Sequence, residues 1–319
     1  MRRLTLILLV TAGLFLFWML SEVGWQKLGR HLMQVGWYWP LLLMPYGLIN
    51  WLESLSWHYI LLTDHHRPTL ARLFFLRLAG EALNQLTPTA SMGGEPFKAM
   101  RLQAKGVPWE DATASVLIHK GILVLSLVLY ILLGVALAPL LLPQSTGHLG
   151  MLSLGALLLG AGALTFVFLQ RQGPCLPALR LLRRLHLCPK YVTSREKELA
   201  VLDAHLVRFY REHPGRSVAA FILFFLSWLL HGVEVYLIFW LLGHPISWPL
   251  ALCLDALAML FTAMGFVIPA ALGVQEGGNI LLSLGFNLGA ALGAAFSILR
   301  RLREAFWLSL GLLAAGWER

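Results

Sequence analysis

The sequence predicts an all-α polytopic integral membrane protein with about six full spans and two re-entrant helical hairpins arranged as an inverted repeat. Three observations point there. Only 13% of the 319 residues are charged and 58% are hydrophobic, whereas a soluble domain carries about 25% charged residues. Mean hydropathy is +0.71, and apolar runs near the roughly 20 residues that a bilayer demands recur along the chain. Two of those runs are interrupted by Pro, Gly and an acid. Backbone at membrane depth tolerates such a break only where protein or a cavity shields it.

The first apolar run, 4–20, follows Met1-Arg2-Arg3. It has the look of a secretory leader, but no small-x-small cleavage site follows, so it is read as an uncleaved first span. Further spans are expected at 40–62, 112–142, 149–170, 217–242 and 288–316. The broken stretches, 70–102 and 250–286, are read as pairs of half-helices. Many of the 12 tryptophans lie near the ends of apolar runs, as in interfacial belts.

Orientation follows from the loops. Residues 171–216 hold Arg171, Arg180, Arg183, Arg184, Lys190, Arg195, Lys197, Arg208, Arg211 and Arg216 against Glu196, Glu198, Asp203 and Glu212. That excess places the loop in the cytoplasm. Arg2 and Arg3 put the N-terminus on the same side, and six spans return the C-terminus there. The loops 143–148 and 243–249 carry no Lys or Arg and face outward. Leucine and arginine at helical spacing in 171–216 fit either an interfacial helix or a plain topogenic linker.

The net charge of +9 is gathered in loops, which suits anionic lipid better than nucleic acid. Cys175, Cys188 and Cys253 show no paired spacing, so neither a disulfide framework nor a zinc site is expected. No P-loop, GxSxG or metal-ligand motif is present, and no cofactor is expected.

A shift of 181 residues places Glu53 on Glu234, Pro88 on Pro269, Glu95 on Glu276 and Lys120 on Arg301. Each copy then has an intact span with a polar residue, a broken hairpin, and a long span with a cation. Residues 1–145 form the first repeat and 146–319 the second. An odd number of crossings per copy inverts one against the other, the architecture of many secondary transporters.

The repeat directs attention to TPTASMGGEPFKAMRL at 87–102. Gly93 and Gly94 allow a tight turn, and Pro96 suits the start of a returning helix. Glu95 either caps that helix or faces a cavity, because an ionised carboxylate in lipid is costly. Pro269, Gly273 and Glu276 repeat the pattern. Lys120 lies roughly 15 Å into its span at the helical rise, and Arg300 and Arg301 lie similarly deep. These cations either lock onto Glu95 and Glu276 or bind an anionic head group. Asn50, Glu53 and Trp57 share a helix face, as do His231 and Glu234. Arg77 and Glu81 are spaced to pair, and Asn84 and Gln85 are placed to line a cavity. Lys98, Arg101 and Lys105 form a stripe that either anchors the chain or gathers anionic lipid at the inner leaflet.

The stretches PTASMGGEPFKAMRL, Ala114-Ser115-Val116-Leu117-Ile118-His119-Lys120 and IPAALGVQEGG, with Arg300-Arg301, together resemble the lysylphosphatidylglycerol synthase transmembrane-region family, also called flippase-like membrane proteins. Its stand-alone members include some associated with hopanoid lipids in bacteria. The resemblance covers about residues 4–316. It implies a lipid-translocating domain and carries over Pro88, Gly93, Gly94, Glu95, Lys120, Gly273, Glu276 and Arg300. In fused members a separate cytoplasmic domain performs lysyl transfer. This chain ends at Trp317-Glu318-Arg319 without one, so it is not expected to be an enzyme.

The leading expectation is a flippase of the bacterial inner membrane. Its partner would be an anionic phospholipid or an isoprenoid or hopanoid lipid, held at a midplane site by Glu95, Lys120, Glu276, Arg300, Arg301, Glu53, Glu234 and Arg101. A homo-oligomer is left open. The alternative is a non-transporting scaffold for lipid or envelope synthesis working through 171–216. A third reading is an intramembrane enzyme using Glu95 or His231 as acid or base.

Overall fold

The computed structural model describes residues 25–63, 67–86, 93–141, 160–162, 164–165, 168–169, 171–184, 196–264 and 268–317. The expected spans at 4–20 and most of 149–170, and the residue Pro88, lie outside them. The regular elements in the described residues are all helical. They are α1 (Trp25–Val35), a 3-10 segment (Gly36–Leu42), α2 (Leu43–Ile60), α3 (Leu70–Leu86), α4 (Gly94–Gln103), α5 (Trp109–Leu141), α6 (Cys175–Arg184), α7 (Glu196–Glu212), α8 (Pro214–Leu241), α9 (Trp248–Met264), a 3-10 turn (Pro269–Ala271), α10 (Val274–Gly285) and α11 (Ala290–Trp317).

Among the described residues, two helices are long and apolar enough to cross a bilayer, α5 and α8. Their starts are well specified. Glu110 and Asp111 sit in the first turn of α5, at the positive end of its dipole. Pro214 opens α8, where a missing N–H costs nothing. The remaining expected spans fall short of that standard for a physical reason. Helix α2 is long enough at 18 residues but carries Asn50, Glu53, Ser54, Ser56 and His58, and α11 carries Arg300, Arg301, Arg303 and Glu304 within one turn or so.

Helices α2 and α8 pack along each other at the centre. Ser56 Oγ donates to the Ala220 carbonyl at 3.1 Å, Ser227 Oγ to Glu53 at 3.3 Å, and the Tyr46 ring meets His231 at 5.8 Å. Numbers fall along α2 as they rise along α8, so the pair is antiparallel. Around it, α5 packs on α4 and on α9, while α11 packs on α10 and on α3. Each long helix thus contacts a broken pair from both parts of the chain. Two glycines permit the crossings. A Cβ on Gly134 would stand 2.4 Å from the Ala256 methyl, and one on Gly311 would stand 2.5 Å from the Leu78 carbonyl.

The core is continuous with this layout. Ile131, Val135, Val235, Phe239, Leu254, Ile280 and Phe296 join α5, α8, α9, α10 and α11. Trp57, Leu73, Leu76, Leu102 and Val116 bind the first hairpin to α2 and α5.

The segment 171–216 contains two packed helices. Leu206 and Phe209 of α7 are buried with Ile118 and Ile122 of α5 and Ala220 and Phe224 of α8. The Asp203 carboxylate accepts the Cys175 and Leu176 N–H groups at 2.8 Å each. It caps α6 from a neighbouring helix. Burial pushes the Cys175 thiol up to about 12, so it is not a reactive thiolate. The plain-linker alternative therefore does not hold for the described part of this segment.

Candidate functional site

The buried charges fall into linked groups. In the first, Arg77 of α3 is ion-paired with Glu53 of α2 and hydrogen-bonded to the Asn50 side-chain oxygen. Asn50 in turn donates to the Tyr46 carbonyl at 2.8 Å. His119 Nε2 lies 3.3 Å from the Glu53 carbonyl. The expected Arg77–Glu81 pair does not form. A buried guanidinium needs several acceptors, and Glu53 with Asn50 supplies them across the α2–α3 contact. Trp57, on the same face, donates to Ser115 at 3.2 Å instead.

The second group builds the GGE turn. Gly94 N–H donates to Asn84 Oδ1 at 2.7 Å, and Asn84 Nδ2 donates to Glu95 at 3.2 Å. Asn84 therefore holds the N-terminus of α4. Glu95 does not cap it, because its carboxylate turns sideways to two cations. Lys98 Nζ is 2.5 Å away and Lys120 Nζ 3.5 Å away. Glu95 is 6% exposed and Lys98 3%, while the Lys120 side chain retains 25%. The expected Lys98–Arg101–Lys105 stripe, read as an anchor or a lipid-gathering face, therefore loses Lys98. Lys98 turns inward, with its ammonium 5.7 Å from the Trp57 ring centre. Arg101 stays outside the charge clusters, lying 5.2 Å over the Phe97 ring.

The third group is in the second hairpin. Gly273, at φ 81°, precedes α10, and its N–H donates to Glu276 at 2.7 Å. Ala270 and Ala271 also adopt left-handed backbone at φ 54° and 47°, a strained choice for residues with a Cβ. Pro269 opens the 3-10 turn that carries them. Glu276 thus caps its helix, and it also pairs with Arg301. Arg301 bonds Glu304 at 2.7 Å as well, and Gln275 donates to Glu304 at 3.1 Å.

Two pairs complete the site. Arg303 grips Glu234 in a fork at 2.8 and 3.1 Å and lies 3.8 Å over the Tyr46 ring. His231 Nδ1 is 3.8 Å from the same carboxylate. Arg300 pairs with Asp255 of α9 at 2.8 Å, and Tyr130 donates to Asp255 at 3.1 Å. Arg300 was expected to share Glu276 with Arg301. Adjacent helical residues diverge by about 100°, so one arginine faces α10 and the other α9.

Sequence reasoning missed Asp255, Arg303 and Glu304. An ionisable side chain inside an apolar helix is a site candidate by default, and that signal alone would have found Asp255 in α9. Between the first and second halves, Tyr46, Asn50, Glu81, Gln85, Glu304 and Trp307 enclose a cavity of about 20 Å³. It is large enough for one water and too small for a head group. Among the described residues no cluster has the makeup of a metal site.

The family described as "Lysylphosphatidylglycerol synthase TM region" matches residues 5–311. A "UPF0104 membrane protein" of Methanocaldococcus jannaschii is 22% identical over 307 residues, covering 93% of this chain and 89% of that protein. No solved structure matches. With its apolar helices, the chain is an α-helical membrane protein.

Proposed function

We propose that this chain, which belongs to the lysylphosphatidylglycerol synthase TM-region family, moves a polar or anionic lipid between leaflets by exchanging partners among its buried charges. One arrangement carries the reading. Glu95 lies between Lys98 and Lys120, and Arg301 lies between Glu276 and Glu304.

The energetics favour exchange over loss. Removing one partner from a buried ion pair costs about 3–5 kcal/mol. A phosphate that replaces Glu95 beside Lys120 avoids that cost, since lysine binds phosphate well. Lys120 is the more exposed of the two lysines, so it is the first to meet a head group. Arg301 plays the same part in the second half. The tails stay in lipid while the polar group passes. The narrow cavity is then one state of a cycle, and widening it for a head group requires the hairpins to move.

An inverted repeat supplies two such states by symmetry. It is supported by the register that sets Glu95–Lys120 on Glu276–Arg301, and by the packing of α5 and α11 on matching partners. The reading includes six spans with both termini cytoplasmic, in a bacterial inner membrane. It involves no chemistry on the lipid, whether phospholipid or hopanoid.

A scaffold is the second reading, favoured by the packed α6–α7 platform. Proteoliposomes with a fluorescent phosphatidylglycerol analogue and an outside quencher separate the two. Transport predicts that wild type exposes inner-leaflet probe faster than empty vesicles, and that Arg180→Gln and Arg184→Gln on the exposed face of α6 preserve the rate. A scaffold predicts no acceleration.

A further inference from the structure

A second crevice lies away from the central charges. A crevice of about 140 Å³ opens between α5 and the junction of α7 with α8, against about 20 Å³ for the central cavity. Its polar groups are Arg171, Tyr210 and Ser217, and its walls include Ile122, Leu125 and Phe221. Tyr210 lies in the last turn of α7 and Ser217 in the first turn of α8, on either side of the break at His213-Pro214. Ile122 and Leu125 are one turn apart along α5, and Phe221 is a turn beyond Ser217. Polar groups thus gather at the helix junction, and the apolar wall runs on from it along two apolar helices.

Arg171 is exposed and close enough to Tyr210 to act on it electrostatically. An arginine that lines one crevice with two hydroxyl-bearing residues suits a phosphodiester, because guanidinium binds phosphate oxygens in bidentate fashion. The basic surround of 171–216 attracts anionic lipid from the same leaflet.

We propose that this crevice binds one anionic phospholipid of the cytoplasmic leaflet, its phosphate on Arg171, Tyr210 and Ser217 and one acyl chain between α5 and α8. Val218, 56% exposed, forms the lipid-facing lip of the crevice. The site does not depend on the central charges moving a head group.

The test is native mass spectrometry of the full chain released from nanodiscs of equal parts phosphatidylglycerol and phosphatidylcholine. Wild type is expected to retain phosphatidylglycerol over phosphatidylcholine by about fivefold, the preference one basic contact gives near an anionic surface. Arg171→Gln loses that preference, and Val218→Trp, which fills the crevice, loses the retained lipid. Arg180→Gln, on exposed α6, changes neither. Equal retention of both lipids by wild type, or unchanged retention in Arg171→Gln, means annular binding only and overturns the site. Retention without any translocation in vesicles counts against the transport reading and leaves this site standing. Translocation without retention does the reverse.

Discussion

Gly94 meets Gly80 backbone to backbone: a Cβ on Gly94 would stand 1.9 Å from the Gly80 carbonyl oxygen. No rotamer relieves such a clash, so α4 would have to move away from α3. Gly94→Ala is expected to lower the melting temperature by several degrees, as overpacking costs about 1–3 kcal/mol or more. Gly285→Ala is the control, since nothing lies within 4 Å of its Cβ position. Equal melting temperatures for the two variants would show that the hairpin is not packed this way.

Asn84 serves the same turn. Its loss leaves the buried Gly94 N–H without its acceptor, at a cost of about 1–3 kcal/mol. Asn84→Ala should therefore destabilise the chain measurably in thermal unfolding by fluorescence. A variant as stable as wild type would remove Asn84 from the turn.

Arg303 and Glu234 are both fully enclosed. Arg303→Met leaves an uncompensated carboxylate and should cost about 3–5 kcal/mol. Adding Glu234→Gln should restore much of that loss, since both charges are then gone. A double-mutant cycle measures it, and strict additivity would contradict the pairing.

Asp203 caps α6 from α7. Asp203→Ala should speed limited proteolysis within 171–216, with a cost of about 0.5–2 kcal/mol. Lipid translocation should be unchanged, because the cap lies apart from the central charges. A large fall in translocation would shift attention to this platform.

The helices were legible where composition or punctuation fixed them. The apolar lengths gave α5 and α8, and Gly-Gly-Glu-Pro gave the start of α4. Pairing was legible where the repeat register applied, as for Glu95 with Lys120 and Glu276 with Arg301. It failed where partners come from helices whose adjacency no local spacing encodes. Arg77 chose Glu53 over the nearby Glu81 because α2 lies alongside. Asp255 has no acidic counterpart at 181 residues' distance, where Phe74 stands, so the repeat could not reveal it. Lys98 looked like part of a surface stripe because i, i+3, i+7 spacing defines a face without saying which way that face turns.

Lys120 is the residue on which the account turns, being paired with Glu95 yet partly open. The decisive measurement is the translocation rate of a fluorescent phosphatidylglycerol analogue in proteoliposomes carrying wild type, Lys120→Met or Glu95→Gln. Wild type is expected to accelerate translocation, Lys120→Met to lose about tenfold or more, as when about 1.4 kcal/mol of head-group interaction is removed, and Glu95→Gln to change the rate because it removes the carboxylate that the head group displaces from Lys120. Wild-type rates in both folded variants would contradict it.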